Sequence, residues 1–331
     1  MALSIGDLVL PRPGQNPILS QPPIPGPTEA VFAETFGTLL PPAQYIQTNH
    51  GKAAYYEILP SSPAPTSKPP HRVLLIHGVQ TPALGLYPLT RLLQTSFPNA
   101  HFVLIDLWGH GLSDTPQVPH DQPLFHSLID SLLTKLQWPS AHLIGYSFGG
   151  ALTASYVNTR PSLVQSFTLL APAGLIPSAT TFTPEEHVHL RGGADEIAAH
   201  KWVHSWLEGG GEIDVPSDWK DHVARGEVVA AALRKWQLTE HHGHAASVVG
   251  VFRDAGVMDR DEDFKTAAQT GIPSLVVLGE TDSICSEGQL RGLGFERVFV
   301  VEGAGHGLVR DKPEEVKQVA GHIEKFWEGI S

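Results

Sequence analysis

A serine flanked by glycines is the first candidate for a reacting group. Residues 145–149 read Gly-Tyr-Ser-Phe-Gly and stand between a predicted strand and a predicted helix. A sharp strand-to-helix turn of this kind strains the serine backbone, exposes the hydroxyl above the sheet and needs glycines to avoid clashes. The helix N-terminus beginning at Phe148 also favours developing negative charge. We therefore predict that Ser147 is a nucleophile.

A serine hydroxyl needs a general base, and that base needs a third group to orient it. His306 lies in a glycine-rich loop that follows the last predicted strand, and we predict that it is the base. Asp282 lies in the loop after the preceding strand and is the predicted acid. Glu280 of the same loop is the alternative acid. The chain order is serine, acid, histidine, as expected for a sheet of this kind.

Acyl transfer also requires hydrogen-bond donors for the oxyanion of the tetrahedral intermediate. The backbone N–H of Phe148, the residue after the nucleophile, is one predicted donor. The loop after the first buried strand reads His77-Gly78-Val79-Gln80 and supplies the second, predicted to be the Val79 N–H. Gly78 lets this backbone approach the substrate. For His77, a loop-shaping role and a direct substrate contact both stay open.

The elements that must position these residues follow from the hydrophobic pattern. Short apolar runs at 73–76, 101–107, 141–144, 164–170, 274–278 and 298–301 alternate with amphipathic helical segments. This alternation predicts an α/β fold in which a mostly parallel central sheet is covered by helices on both faces. Residues 44–59 predict a hairpin at its start.

The same pattern divides the chain into three parts. Half of the 28 prolines fall in the first 70 residues, so we interpret 1–43 as an extended, loosely packed arm with a short helix near 29–39. A lid or a dimer-forming arm is the alternative. Residues 44–171 and 269–331 form the predicted core. Residues 172–268 interrupt the strand pattern and are predicted to form a helical cap, with helices at 194–208 and 227–241. Trp202, Trp206 and Trp236 of this segment either line an apolar acyl pocket or pack its interior.

Composition restricts the possible partners. The chain has 331 residues, 22 Lys and Arg against 34 Asp and Glu, a net charge of −12, and one cysteine. An intrachain disulfide is excluded, and the acidic balance argues against a nucleic-acid partner. The sequence contains no run of about 18 apolar residues, so no membrane span is predicted. The N-terminus lacks the features of a secretory signal, and we therefore expect a cytoplasmic protein. The oligomeric state stays open.

No cofactor or metal is predicted. Glu196, His200 and His204 have helical spacing and would share a face, but no further ligand set accompanies them. The only candidate partner is therefore a small-molecule acyl substrate.

Taken together, the motifs resemble the α/β-hydrolase superfamily in its capped branch of esterase-, lactonase- and thioesterase-like enzymes. The matching segments are 77–78, 106–114, 145–150, 279–282 and 303–306, in the order of that family. The resemblance implies a Ser147, Asp282 and His306 triad, and the serine disfavours relatives that attack with an aspartate. The 109–114 turn resembles a structural loop of the family, with Trp108 beside it as a candidate substrate contact, as is Tyr146 beside the nucleophile.

The predicted function is hydrolysis of a small to medium, largely apolar ester, lactone or thioester through an acyl-enzyme. Acyl transfer to an alcohol, including lactonisation, would use the same residues, as would hydrolysis of a C–C bond. A ligand receptor on the same fold is the alternative from a different class of protein.

Overall fold

An eight-stranded sheet runs through the computed structural model, which describes residues 8–15, 21–61, 70–193 and 195–330. In chain order the strands are β1 Gln44–Thr48, β2 Gly51–Ile58, β3 Arg72–Ile76, β4 His101–Ile105, β5 Ala141–Tyr146, β6 Val164–Leu170, β7 Ser274–Gly279 and β8 Val298–Val301. They lie in the order β1-β2-β4-β3-β5-β6-β7-β8. β1 and β2 are antiparallel to their neighbours, and the other pairings are parallel. The predicted α/β fold with a mostly parallel sheet is confirmed.

The strands are apolar on both faces, as β3 illustrates. Val73 and Leu75 belong to one core cluster, whereas Leu74 and Ile76 belong to the other. Successive side chains of a strand point to opposite faces, so an uninterrupted apolar run is stable only where both faces are covered. All four side chains are fully buried, as that argument requires.

Helices cover both faces of the sheet. The Val73 face packs against α1 (Glu29–Phe36), α2 (Tyr87–Ser96) and α13 (Pro313–Gly329). The opposite face packs against α3 (Gln122–Lys135), α4 (Phe148–Thr159) and α12 (Glu287–Gly292). Within the described ranges, no helix is long and apolar enough to cross a bilayer.

Between β6 and β7 lie seven helices of the described chain, and we call residues 171–273 the helical insertion. These helices are α5 Ser178–Thr181, α6 Glu186–Arg191, α7 Glu196–Leu207, α8 Trp219–Ala224, α9 Ala230–Glu240, α10 His244–Asp254 and α11 Asp261–Gln269. α7 and α9 correspond to the helices predicted at 194–208 and 227–241, whereas α10, which follows a polar stretch of histidines, was not predicted. The division into an arm, a core and a cap stays a prediction.

The N-terminal arm is packed rather than loose where the structure describes it. Phe32 and Phe36 of α1 are 5% and 1% exposed, and their rings lie 5.4 and 5.8 Å from that of Trp236 on α9. Ile24 forms an antiparallel bridge with Thr115. The expectation of a loosely packed arm was therefore wrong here, because prolines exclude regular structure but not burial of the aromatic residues between them.

Replacing Phe36 with Ala is expected to lower the free energy of unfolding by about 3–5 kcal/mol, because it leaves a cavity among the buried rings. Chemical denaturation of the full chain measures this change, and the matched control is Glu34→Ala, at an exposed position of the same helix. Equal stability of the two variants would show that the arm does not contribute to the folded core.

Candidate active site

Ser147 occupies a strained turn between β5 and α4. Its backbone has φ 55° and ψ −120°, a conformation that residues other than glycine rarely adopt. The elements around it approach so closely that side chains are excluded on either side. A Cβ at Gly145 would lie 2.2 Å from the Gly149 carbonyl oxygen, and one at Gly149 would lie 2.1 Å from that of Ile76. Both glycines of the Gly-x-Ser-x-Gly motif are therefore required by the packing.

The structure brings Ser147, His306 and Asp282 into one row of hydrogen bonds. His306 Nε2 is 2.9 Å from Ser147 Oγ, and His306 Nδ1 is 2.8 Å from Asp282 Oδ2. The Asp282 side chain is 3% exposed, and its other oxygen accepts the Ile284 N–H at 3.1 Å. An Nδ1–H donated to this carboxylate leaves Nε2 free to accept the proton of the serine hydroxyl.

The two loops that carry the histidine and the acid are bonded to each other. The Thr281 N–H and hydroxyl both donate to the Ala304 carbonyl at 2.9 Å. The alternative acid, Glu280, is exposed and accepts the Gly303 N–H at 2.8 Å. Its carboxylate therefore braces the histidine loop from outside, while Asp282 is the carboxylate that contacts His306.

The loop after β3 lies against the serine, as the predicted oxyanion site requires. A Cβ at Gly78 would be 2.9 Å from Ser147 Cβ, so only glycine fits there. The His77 ring is fully buried, with Nδ1 2.7 Å from the Gly78 carbonyl oxygen and Nε2 accepting the Leu107 N–H at 2.9 Å. Of the two alternatives for His77, these contacts correspond to shaping of the loop.

The helical insertion fixes the far side of this loop. The Gln237 amide donates to the Gln80 carbonyl at 2.6 Å and accepts the Gly111 N–H at 2.7 Å. The Gln80 amide in turn donates to Glu208 Oε1 at 2.5 Å. Gln237 is fully buried. The position of the Val79 backbone therefore depends on contacts with α9 and with the end of α7.

Phe148 is placed as the first residue of α4. Its side chain is buried against Phe125, with ring centroids 5.4 Å apart. Its N–H is one of the first four of the helix, which have no acceptor within the helix itself. Together with the Val79 N–H of the facing loop, it is the donor pair that we predicted from the sequence.

A cavity of about 590 Å³ opens above Ser147. Gly78, Val79, Tyr146 and Trp206, all predicted to contact substrate or its oxyanion, are part of its wall. The apolar part of the wall, contributed by both the core and the helical insertion, is made by Ala173, Ile176, Leu207, Val257 and Ile284.

Two predicted substrate contacts are wrong. Trp108 is fully buried in the core cluster and lies outside the cavity wall, where its carbonyl accepts the Ser247 hydroxyl at 3.0 Å. Trp202 stacks on His189 with ring centroids 5.4 Å apart and also lies outside the wall. The Trp108 ring belongs to the core cluster, and the half-buried Trp202 ring packs against Phe182 and Phe252 of the same cluster.

Sequence reasoning missed the charged part of the cavity wall. Arg234, Arg310, Glu208 and Asp311 all line it. No motif surrounds these residues, and Arg234 and Glu208 reach the site only through the folding of the helical insertion. The one available signal was the position of Arg310 four residues after the predicted base.

Buried histidines pack at the interface between the helical insertion and the loop after β4. The ring centroids of His110 and His77 are 5.0 Å apart and those of His110 and His244 are 4.8 Å apart. His241 Nε2 lies 2.8 Å from the Ser113 carbonyl oxygen. Burial lowers the pKa of His241 to about 4 and that of nearby His120 to about 3. These imidazoles are therefore neutral packing groups.

The described residues form no evident metal-binding site. No group of three or more His, Cys, Asp or Glu side chains among them could hold a metal ion. The helical face considered above is otherwise engaged, since Glu196 accepts Arg253 Nη1–H at 2.7 Å and His204 Nε2 lies 3.3 Å from the Ala245 carbonyl oxygen.

A parallel sheet with a serine at a strained strand-to-helix turn defines a class, the α/β hydrolases. The chain belongs to the alpha/beta hydrolase family, whose sequence model matches residues 73–319. This finding confirms the resemblance indicated by the motifs, and family membership supports a hydrolase activity.

Similarity to individual proteins extends over different shares of the chain. A serine hydrolase-like protein of Homo sapiens is 35% identical over 100 residues, which are 30% of this chain and 48% of that protein. The match therefore spans about half the length of this relative.

Solved structures share the fold over most of the chain. A membrane phospholipase A, described as a bacterial virulence factor, has a TM-score of 0.62 at 21% identity and covers 91% of this chain and 90% of its own. The enol-lactonase from Burkholderia xenovorans has a TM-score of 0.61 at 17% identity and covers 86% and 99% respectively. At these identities the likeness concerns the fold alone.

The buried histidines predict a loss of stability on acidification. Their pKa is lowered in the folded state, so below the ordinary value of about 6.5 the unfolded chain binds protons that the folded chain excludes. The free energy of unfolding is expected to fall as the pH drops from 7 towards 4, by up to about 1.4 kcal/mol per pH unit for each such histidine. Chemical denaturation at a series of pH values measures this slope.

The matched variants are His120→Gln, at the buried position whose pKa is about 3, and His242→Gln, at an exposed position. We expect the first to flatten the dependence on pH and the second to leave it unchanged. Constant or rising stability of the wild-type chain between pH 7 and pH 5 would contradict the argument.

Proposed function

We propose that the protein is a serine-dependent acyl hydrolase that acts on small to medium esters, lactones or thioesters through an acyl-enzyme. The observation that carries the proposal is the row of hydrogen bonds from Ser147 through His306 to Asp282, at the wall of a cavity of about 590 Å³. Membership of the alpha/beta hydrolase family supports the same class of chemistry.

In the first half-reaction, Ser147 Oγ attacks the acyl carbon while His306 Nε2 takes its proton. Asp282 holds the imidazole in the required tautomer and stabilises the imidazolium. The negative charge that develops on the carbonyl oxygen would be bound by the N–H groups of Phe148 and Val79. Loss of one such donor typically costs about 3 kcal/mol of transition-state stabilisation. His306 then gives its proton to the departing alkoxide or thiolate, and the acyl-enzyme remains.

In the second half-reaction, water replaces the departed group. His306 takes a proton from the water, whose oxygen attacks the acyl carbon, and the resulting tetrahedral intermediate expels Ser147 with return of that proton. The products are the carboxylic acid and the free enzyme, so no cofactor or net redox change is needed.

The cavity supports an acyl substrate of modest size. Ligand pockets in proteins are commonly clefts of roughly 300–1,000 Å³ that combine apolar walls with a few placed polar groups. The cavity at Ser147 has this composition, since Ile176, Leu207 and Val257 line it together with Val79 of the loop after β3.

Replacing Ser147 with Ala is expected to lower ester hydrolysis by about 10⁴-fold or more, because no other group can form the acyl-enzyme. Replacing Asp282 with Asn should also lower kcat severely, since an amide favours the wrong tautomer of His306. Hydrolysis of 4-nitrophenyl hexanoate measures both effects.

The matched control is Glu280→Gln, which changes the exposed carboxylate on the same loop. We expect this variant to retain most of the activity. Wild-type rates in Ser147→Ala, or equal losses in Asp282→Asn and Glu280→Gln, would refute the assigned roles.

A further inference from the structure

A second cavity of about 680 Å³ shares part of its wall with the catalytic cavity. Arg234 of α9 and the neighbouring Arg310 and Asp311 of the loop after His306 line both cavities. The boundary between the cavities is therefore built from the helical insertion on one side and from the loop of the catalytic histidine on the other. A substrate held at Ser147 and extending out of the first cavity would meet these two guanidinium groups.

Arg310 is buried without adequate partners. Its side chain is 7% exposed, and its Nε and Nη1 atoms have no hydrogen-bond acceptor within the part of the chain that the structure describes. Asp311 Oδ1 lies 3.7 Å from Nε, beyond hydrogen-bonding distance. The guanidinium carbon lies 4.9 Å from the centroid of the Tyr146 ring. This contact attracts the cation, and Arg310 also hydrogen-bonds the Tyr146 side chain, but Nε and Nη1 stay without an acceptor among the described residues.

Arg234 is also incompletely paired. Its Nε lies 3.1 Å from Glu208 Oε1 but does not meet the geometry of a hydrogen bond. The same Glu208 oxygen accepts the Gln80 amide at 2.5 Å. The carboxylate is therefore shared between the loop after β3 and the arginine, and it does not satisfy the arginine fully.

The carboxylates of the cavity wall include ion-pair neighbours of both arginines, but none of them accepts a hydrogen bond from the Nε atom of either arginine. Asp282 accepts from His306 and from the Ile284 N–H, Glu208 accepts from Gln80, and the Asp311 side chain is 52% exposed. A buried donor without an acceptor is destabilising, and the penalty is larger for a charged group. The wall thus contains cationic donors that lack acceptors, although it is not positive overall.

We propose that the substrate carries a carboxylate, which Arg310 and Arg234 bind while the acyl carbon of the substrate lies at Ser147. This inference rests on the proposed acyl hydrolase function and adds the substrate class. The planar guanidinium presents donors that match a carboxylate. A phosphate dianion would also match them, but it would meet stronger repulsion from Asp282, Asp311 and Glu208.

The test compares esters that differ in one carboxylate. The first pair is mono-4-nitrophenyl adipate and 4-nitrophenyl hexanoate, which have acyl chains of equal length and differ in a carboxylate on the acyl chain. The second pair is 4-carboxyphenyl hexanoate and phenyl hexanoate, which differ in a carboxylate on the leaving group. We expect the wild-type protein to show a kcat/KM at least about tenfold higher for the anionic ester of at least one pair. A hydrogen bond to a charged group typically changes the strength of binding by about 10- to 100-fold.

The variants Arg310→Gln and Arg234→Gln should each reduce this preference, which is the ratio of the two kcat/KM values. Arg310→Lys should retain part of it, because the charge stays but the forked geometry is lost. The matched control is Arg297→Gln at an exposed position outside both cavity walls, which should leave the ratio unchanged. If Arg310→Gln fails to fold, the ratio of the two kcat/KM values is compared between the wild-type protein and the variants Arg234→Gln and Arg310→Lys.

Calorimetric titration of the Ser147→Ala protein separates binding from turnover. We expect adipate to bind, and the additional change Arg310→Gln to weaken it at least about tenfold. No preference in either ester pair, or a preference that survives changes at both arginines, would overturn the inference. Tighter binding of inorganic phosphate than of adipate would overturn the choice of a carboxylate.

The two proposals fail in different ways. Hydrolysis of 4-nitrophenyl hexanoate by Ser147→Ala at the wild-type rate would remove the acyl hydrolase mechanism. Hydrolysis that depends on Ser147 but shows no preference for the anionic esters, with no adipate binding, would remove only the carboxylate site.

Discussion

The close approach of three backbones around Ser147 is the constraint on which the site depends. β5 must turn into α4 within a single residue, and α4 must lie almost in contact with the end of β3, where a Cβ at Gly149 would be 2.1 Å from the Ile76 carbonyl oxygen. The positive φ of Ser147 follows from this turn. It aims the hydroxyl at the carboxyl edge of the sheet and puts the first N–H groups of α4 beside the same point.

The helical insertion completes the site as well as covering it. Gln237 and Glu208 hold the loop after β3 through Gln80. The predicted oxyanion donor, the Val79 N–H, is therefore positioned by residues that follow it by more than a hundred positions in the sequence. Neutral buried histidines pack at the same interface, with His241 beside the Ser113 carbonyl. The contact between the helical insertion and the core therefore affects both the geometry of the loop after β3 and the stability of the protein at low pH.

Local patterns were enough to predict the fold and the three side chains that the structure brings together at Ser147, since strand ends and glycine-flanked turns are encoded within a few neighbouring residues. They could not predict contacts that arise only when distant segments meet. Trp108 was misassigned because its place beside the 109–114 turn does not reveal that the ring is fully buried. The burial of Phe36 depends on Trp219 and Trp236 of the helical insertion, whose helices are short and weakly patterned.

Reaction with a fluorophosphonate probe, followed by intact mass and peptide mapping of the folded protein, tests directly whether Ser147 is an activated nucleophile. A single phosphonyl adduct is expected on Ser147, formed much more slowly in His306→Ala because the hydroxyl then has no base to take its proton. A folded protein that forms no adduct, or forms it on another residue, would contradict the account and favour a ligand-binding role for this fold.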